Sequence, residues 1–76
     1  MNRDRRKTIN DIRTQIEELK DCLDDVRDEE ECYRDNMPEN LQGSERYEKA
    51  DSACDNLYEA ISSLEEAISS MEEAVG

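Results

Sequence analysis

The side chains that could do chemistry in this chain are carboxylates and thiols. The sequence has 22 Asp and Glu residues and three cysteines, Cys22, Cys32 and Cys54, but no histidine. Histidine is the usual general base near neutral pH and the commonest metal ligand. A Cys or Ser nucleophile would therefore have no imidazole to activate it. The composition predicts a protein that is not an enzyme.

The spacing of these residues also argues against a metal or cofactor site. The cysteines are ten and twenty-two residues apart, and no C-x-x-C pair is present. Carboxylate metal sites in helical bundles need acidic side chains that point inward, usually with Glu-x-x-His. The acidic run from Asp21 to Glu31 lacks the glycine of an EF-hand loop, and no glycine-rich phosphate loop is present. We expect no metal, no cofactor and reduced thiols.

The charge of the chain is strongly negative and unevenly distributed. Ten bases oppose the 22 acids, which gives a net charge of −12. Residues 3–7 carry +3, so the remainder carries −15. Such a surface repels nucleic acid and anionic membranes and attracts basic protein surfaces. Whether the acidity serves a contact with a partner or only solubility stays open at this point.

The length of the chain limits what it can bury. A chain of 76 residues buries little surface by itself and is marginally stable unless something supports its core. The sequence has neither a run of 18 apolar residues nor the apolar core of a signal peptide. We expect no membrane contact and a cytoplasmic location.

Apolar residues recur every three and four positions in a first tract, which is the heptad pattern of a coiled coil, labelled a to g. The a positions are Ile9, Ile16 and Leu23, with Glu30 as the polar exception. The d positions are Ile12, Leu19, Val26 and Tyr33. Glu30 either lies in a frayed, hydrated end of the helix pair or is a buried polar residue that Arg27 or Arg34 contacts.

A second tract repeats the heptad more regularly. Its a positions are Tyr47, Cys54, Ile61, Ile68 and Val75, and its d positions are Ala50, Leu57, Leu64 and Met71. Its g positions form an alanine row: Ala53, Ala60, Ala67 and Ala74. This regularity predicts a second long helix with an apolar face that is three positions wide in each heptad.

The segment between the tracts predicts a turn. Pro38 biases Met37 away from helical backbone, and Ser44 after Gly43 is typical of a helix N-cap. We therefore predict one all-α domain over residues 1–76, an antiparallel two-helix coiled-coil hairpin. Its parts are a helix over 5–35, a turn over 36–44 and a helix over 45–75.

Charge predicts the register of the two helices. The e positions of the first helix are all basic, and in an antiparallel pair they face the e positions of the second. The expected contacts are Arg13–Glu72, Lys20–Glu65, Arg27–Tyr58 and Arg34–Asp51.

The alanine row also raises the question of oligomeric state. Small residues allow another helix to approach closely, so we predict an antiparallel homodimer that forms a four-helix bundle through Ala53, Ala60, Ala67 and Ala74. The alternative is a monomeric hairpin in which the alanines only raise helix propensity.

The turn and the helix after it resemble a known group of proteins. The segment DNMPENLQGSERYEKAD over residues 35–51 and the alanine- and serine-rich heptads that follow are similar to small acidic helical proteins of prophages and mobile elements of Gram-positive gut bacteria. The resemblance rests on Asn36, Pro38, Glu39, Leu41, Gln42, Ser44, Glu45 and Arg46. It implies a genetic setting and no mechanism.

The turn motif itself has two interpretations. In the structural one, Leu41 covers the end of the hairpin core and Ser44 begins the second helix. In the functional one, Leu41, Ser44 and Arg46 form a contact surface at the tip of the loop.

The acidity of the first helix suggests a function. Its candidate partner-binding residues are Glu17, Glu18, Asp21, Asp24, Asp25, Asp28, Glu31 and Asp35. With Glu29 and Glu30 they make ten carboxylates over eighteen residue steps, about one per 2.7 Å. Duplex DNA carries one charge per about 1.7 Å and each strand one per about 3.4 Å. We predict a nucleic-acid mimic that inhibits a basic host defence or nucleic-acid-binding protein.

Two other classes of function stay open. One is a structural or adaptor coiled coil whose acidic face is only solvated. The other, less favoured, is weak nucleic-acid binding through Arg3, Arg5, Arg6 and Lys7.

Overall fold

The protein is a pair of long helices joined by a short turn. The computed structural model describes all 76 residues. Helix α1 spans Arg3–Asp35, a single 3-10 turn spans Glu39–Leu41, and helix α2 spans Glu45–Val75. The helices pack against each other along a rod whose Cα extents are 59 × 15 × 13 Å, so the predicted helical hairpin is confirmed. Neither helix is long and apolar enough to cross a bilayer.

Side-chain caps set where the helices begin. The Asn2 side chain accepts a hydrogen bond from the Arg5 backbone N–H at 2.8 Å. Helix α1 therefore begins at Arg3, two residues before the predicted start. At α2, the Ser44 hydroxyl accepts from the Tyr47 backbone N–H at 3.3 Å. Both caps satisfy an N–H group that the first turn of a helix leaves without an intrahelical partner.

The turn between the helices contains no residue in the left-handed backbone conformation. No glycine has a positive φ, and a Cβ added at Gly43 would meet no atom within 4 Å. The Leu41 N–H donates to the Pro38 carbonyl at 2.9 Å and closes the 3-10 turn. Met37 is only 7% exposed and covers the end of the core, whereas Leu41 is 38% exposed. The structural interpretation of the turn is thus confirmed for Ser44, which caps α2, but Met37 and not Leu41 is the buried residue at this end of the core.

The core is thin and comes almost entirely from α2. Five residues are buried: Met37, Ala50, Cys54, Ile61 and Ile68. Helix α1 contributes none of them. Its a row is half-buried, but its d row is exposed along the whole helix. A coiled-coil heptad would place both the a and d rows of α1 against α2, but the structure places only the a row there.

The long basic side chains at the e positions explain this arrangement. They reach across to α2, and the helices are rolled so that the a and e rows of α1 face the partner helix. The d row lies beyond the a row on the other side, 60° further around the helix. It is therefore turned out of the contact between the helices.

Cys54 makes the fold sensitive to alkaline pH. Burial raises the pKa of its thiol above the ordinary value of 9.0, although the nearby Arg34 charge opposes the shift. Because the folded pKa lies above the unfolded one, this contribution to stability is present below about pH 9 and is lost as the pH rises through the folded pKa. We expect the melting temperature to fall between pH 8 and 10, and to fall less in Cys54→Ala. The exposed Cys32→Ala is the matched control, and equal pH slopes in all three proteins would contradict the assignment.

Candidate functional site: an acidic outer face and an inward basic row

The basic e row of α1 lies against α2. The side chains of Arg13, Lys20, Arg27 and Arg34 are only 19–27% exposed. The predicted contacts all form: Arg13 Nη1 to Glu72 Oε1 at 3.2 Å, Lys20 Nζ to Glu65 Oε1 at 3.7 Å, Arg34 Nη1 to Asp51 Oδ1 at 2.9 Å, and the Arg27 guanidinium 6.0 Å from the Tyr58 ring centroid. The predicted register is confirmed.

The same bases also form ion pairs with carboxylates of their own helix. Lys20 Nζ lies 3.5 Å from Asp24 and 3.7 Å from Asp21. Burial lowers the pKa of Lys20, but the three surrounding carboxylates outweigh that effect and raise it. Arg27 contacts Asp24 at 3.6 Å and Asp28 at 3.3 Å. The basic row is therefore a continuous ion-paired strip that remains charged at neutral pH.

The structure divides the eight predicted acidic residues into three groups. Glu17, Asp24 and Glu31 are half-buried beside the basic row, and each pairs with a base of that row. The exposed aspartates of the second group also lie within 4.0 Å of a base: Asp21, Asp28 and Asp35. The third group is Glu18 and Asp25, which are exposed and form no ion pair.

From Asp11 onward, six carboxylates occupy the c and f rows of α1, on the side away from the inward basic row. We call these six the acidic outer face: Asp11, Glu18, Asp21, Asp25, Asp28 and Asp35. All six are exposed. They span 24 residue steps, or about 36 Å, which is about one carboxylate per 7 Å. Glu29 is also exposed, but it lies in the g row beside the apolar d row.

Asp11 was missed in the sequence interpretation, although its spacing of seven residues from Glu18 marks it as a member of the same row. Conversely, the density of one charge per about 2.7 Å counted residues on several sides of the helix.

Charge is segregated over the rest of the rod as well. Ten of the 22 carboxylates lie within 4.0 Å of a basic nitrogen, which leaves twelve that do not. The bases at the start of α1 form no ion pair either: Arg3, Arg5, Arg6 and Lys7. The rod therefore has a short basic end and a long acidic body.

The other predicted contact residues lie apart from this face. Three members of the alanine row are exposed, Ala60, Ala67 and Ala74, and Ala53 is half-buried. Leu41 in the turn and Arg46 in the first turn of α2 are exposed, whereas the Ser44 hydroxyl is engaged in the helix cap.

Glu30 is half-buried and pairs with neither neighbouring arginine, because Arg27 and Arg34 hold other carboxylates. It lines a depression beside the turn together with Tyr33 and Arg46. The interpretation in which an arginine holds Glu30 in the core is therefore wrong.

The thiols and carboxylates do not converge on a common point. Cys22 and Cys32 are exposed and Cys54 is buried. No three acidic or cysteine side chains are placed so that they could hold a metal ion together. What the arrangement offers a partner is a row of fixed negative charge and, on another side of the rod, exposed apolar surface.

Comparison with known proteins gives no further assignment. No protein-family model matches the chain, and no curated protein or solved structure matches it significantly.

Proposed function

We propose that this protein is a non-enzymatic interaction factor whose acidic outer face binds a basic surface of another protein. The observation that carries the proposal is the segregation of charge on α1. Every base of α1 after Lys7 lies on the inward e row, whereas the outer face has six exposed carboxylates and no base. Three of the six carboxylates, Asp21, Asp28 and Asp35, are ion-paired with bases of the inward row, and the other three form no ion pair. A partner that approaches the outer face therefore meets net negative charge and no exposed base, and such a field steers oppositely charged partners.

The partner surface that fits best is one that otherwise holds nucleic acid. Lysines and arginines that line such a surface are arranged to meet a row of phosphates, and the outer face presents a row of carboxylates about 36 Å long. Its carboxylates are spaced about twice as far apart as the phosphates of one DNA strand, at one per about 7 Å against about 3.4 Å. The ion pairs of Asp21, Asp28 and Asp35 lower its net charge further. The protein would thus compete for part of the basic surface and would not match each phosphate.

The resemblance of the turn to proteins of prophages and mobile elements suggests the narrower form of this proposal. In that setting the partner would be a host defence protein or another nucleic-acid-binding protein, and the binding would inhibit it. The rival function is a structural or adaptor coiled coil whose acidic surface serves solubility only.

A capture experiment with two charge-matched variants distinguishes these functions. The test variant neutralises the three carboxylates of the outer face that form no ion pair: Asp11→Asn, Glu18→Gln and Asp25→Asn. The control neutralises three exposed carboxylates of α2 that also lack a basic partner: Glu59→Gln, Glu66→Gln and Glu73→Gln. Both proteins have the same net charge and the same number of changes.

We expect immobilised wild-type protein to retain a basic protein from a bacterial lysate and duplex DNA to displace it. Retention by the test variant should fall about tenfold or more, because exposed charges contribute mainly through attraction at a distance. The α2 control should retain the protein nearly as well as wild type. Equal retention by both variants, or a complex that DNA does not displace, would contradict the proposal.

A further inference from the structure

An apolar strip runs along one side of the hairpin and is covered by nothing in the chain. The d row of α1 is exposed over its whole length: Ile12 at 45%, Leu19 at 66%, Val26 at 49% and Tyr33 at 48%. The d row of α2, Leu57, Leu64 and Met71, is half-buried beside it. Together with the alanine row, these residues form what we call the open face. These residues recur in every heptad along one side of the rod, so they are not scattered singly over the surface.

The contacts between the helices explain why this side is open. Around a helix, the e row flanks the a row and the g row flanks the d row. The ion pairs between e positions close one side of the hairpin. The d and g rows of both helices therefore lie together along the opposite side. The g row of α2 is the alanine row, whereas that of α1 between Ile12 and Tyr33 consists of Gln15, Cys22 and Glu29.

We infer that the open face binds a second copy of this chain, with the two-fold axis parallel to the helices. Each α1 then packs on the second copy's α2, and the two hairpins form a four-helix bundle. This places the large d row of α1 in the interface, in addition to the alanine row to which the sequence pointed. The inference does not depend on the proposed function.

Charge along the edges of the open face favours this arrangement. The edge of α1 is acidic, with Asp11, Glu18 and Asp25 in its c row, whereas the c row of α2 has Asn56, Ser63 and Ser70 over the same length. Packing α1 on α1 would bring two acidic edges together, which costs free energy in a chain of net charge −12. Packing α1 on α2 places each acidic edge beside an uncharged one.

Size and register are also complementary in this arrangement. A two-fold rotation about an axis parallel to the helices leaves the position of each residue along the rod unchanged. The register between α1 and the second copy's α2 is therefore the same as the register between α1 and α2 within one hairpin. In this register, Leu19 lies near Ala67 and Val26 lies near Ala60 of the second copy. Large residues therefore pack against small ones, which allows close approach of the helices.

The area of the open face is sufficient for a stable dimer. The d row of α1 spans 21 residue steps from Ile12 to Tyr33, or about 32 Å. Two adjacent helices make the face about 20 Å wide, so each copy would bury about 600 Å². The total of about 1,200–1,300 Å² reaches the range of specific interfaces. Such burial would add to the core of five residues that the hairpin buries by itself.

Light scattering at micromolar concentrations tests the dimer with a matched pair of variants. The wild type is expected to give twice the chain mass of 8.9 kDa. Leu19→Glu should raise the dissociation constant of the dimer more than about a hundredfold, because it places a charge in the centre of an apolar interface. Since Leu19 is exposed in the hairpin, helix content by circular dichroism should be kept. The same change at the exposed turn residue, Leu41→Glu, should leave the dimer intact.

Disulfide trapping tests the orientation of the two copies. In a background of Cys22→Ser and Cys32→Ser, a chain with Leu19→Cys is refolded together with a chain with Ala67→Cys and then oxidised. Buried Cys54 stays, since its protonated thiol is poorly reactive. We expect the mixed disulfide as the main product, because linkage requires Cα atoms within about 7 Å. A single-chain mass for the wild type, a dimer that survives Leu19→Glu, or Leu19→Cys chains that link mainly to each other would overturn the inference.

Discussion

Ile61→Ala is expected to lower the free energy of unfolding by about 2–4 kcal/mol, the usual cost of truncating a buried isoleucine. Ile61 is 4% exposed and lies at the centre of a core of only five buried residues. Few neighbours can collapse into the space that the substitution leaves. In a chain of this size, such a loss lowers the melting temperature by about 10 °C or more, measurable by circular dichroism.

Leu41→Ala is the control for this prediction, because it removes apolar atoms from an exposed position in the turn. We expect it to change the melting temperature by only about 1–2 °C, as is usual for a surface substitution. Similar melting temperatures for the two variants would mean that burial of the Ile61 side chain does not contribute appreciably to the stability of the fold.

Reversing two charges of the inward row is the second change with a large expected effect. Arg13→Glu and Lys20→Glu replace attractions on both helices with repulsions, since Lys20 alone contacts three carboxylates. We expect a marked fall in melting temperature. Adding Glu65→Lys and Glu72→Lys should restore about half of it, because only the contacts between the helices are rebuilt and those within α1 stay repulsive.

The matched control reverses two bases that have no ion pair, Arg5→Glu and Arg6→Glu. These changes alter the net charge equally but should leave the melting temperature nearly unchanged. If the quadruple variant melts no higher than Arg13→Glu with Lys20→Glu, the two rows do not interact in the register described.

The register of the hairpin was predictable because it is encoded by local features that agree with one another. The heptad fixes which residues share a row, Pro38 and Ser44 fix where the helices end and begin, and the basic e row has acidic counterparts at matching heights. Each feature specifies the same pairing, so no knowledge of distant packing was needed.

The rotation of the helices about their own axes was not predictable in the same way. A heptad assigns the a and d rows to one apolar stripe and does not state which side of that stripe the partner helix covers. The long side chains of Arg13 and Arg34 favour contact on the a and e side, which leaves Leu19 and its row outside.

The same rotation changes the acidic site. The side chains of Glu17, Asp24 and Glu31 are drawn toward the contact between the helices, while Asp11 joins the outer face. The sequence identifies the residues that carry charge, but their direction depends on helix packing.

The two exposed surfaces suit different partners. The outer face is charged and hydrated, so its contacts are expected to govern how fast a partner arrives and to weaken with salt. The open face is apolar and lacks acidic residues over most of its α2 edge, so contacts there are expected to govern how long a complex lasts. A partner bound through the outer face and a second copy bound through the open face can therefore be told apart by their response to salt.

The most direct test of the acidic outer face is the association rate of wild-type protein with the captured basic protein, measured as salt is raised. We expect this rate to fall about tenfold or more between low and high salt, while the dissociation rate changes much less. The variant with Asp11→Asn, Glu18→Gln and Asp25→Asn should associate more slowly at low salt and show a shallower salt dependence. An association rate that is insensitive to salt and equal in wild type and variant would contradict the claim that this face makes the contact.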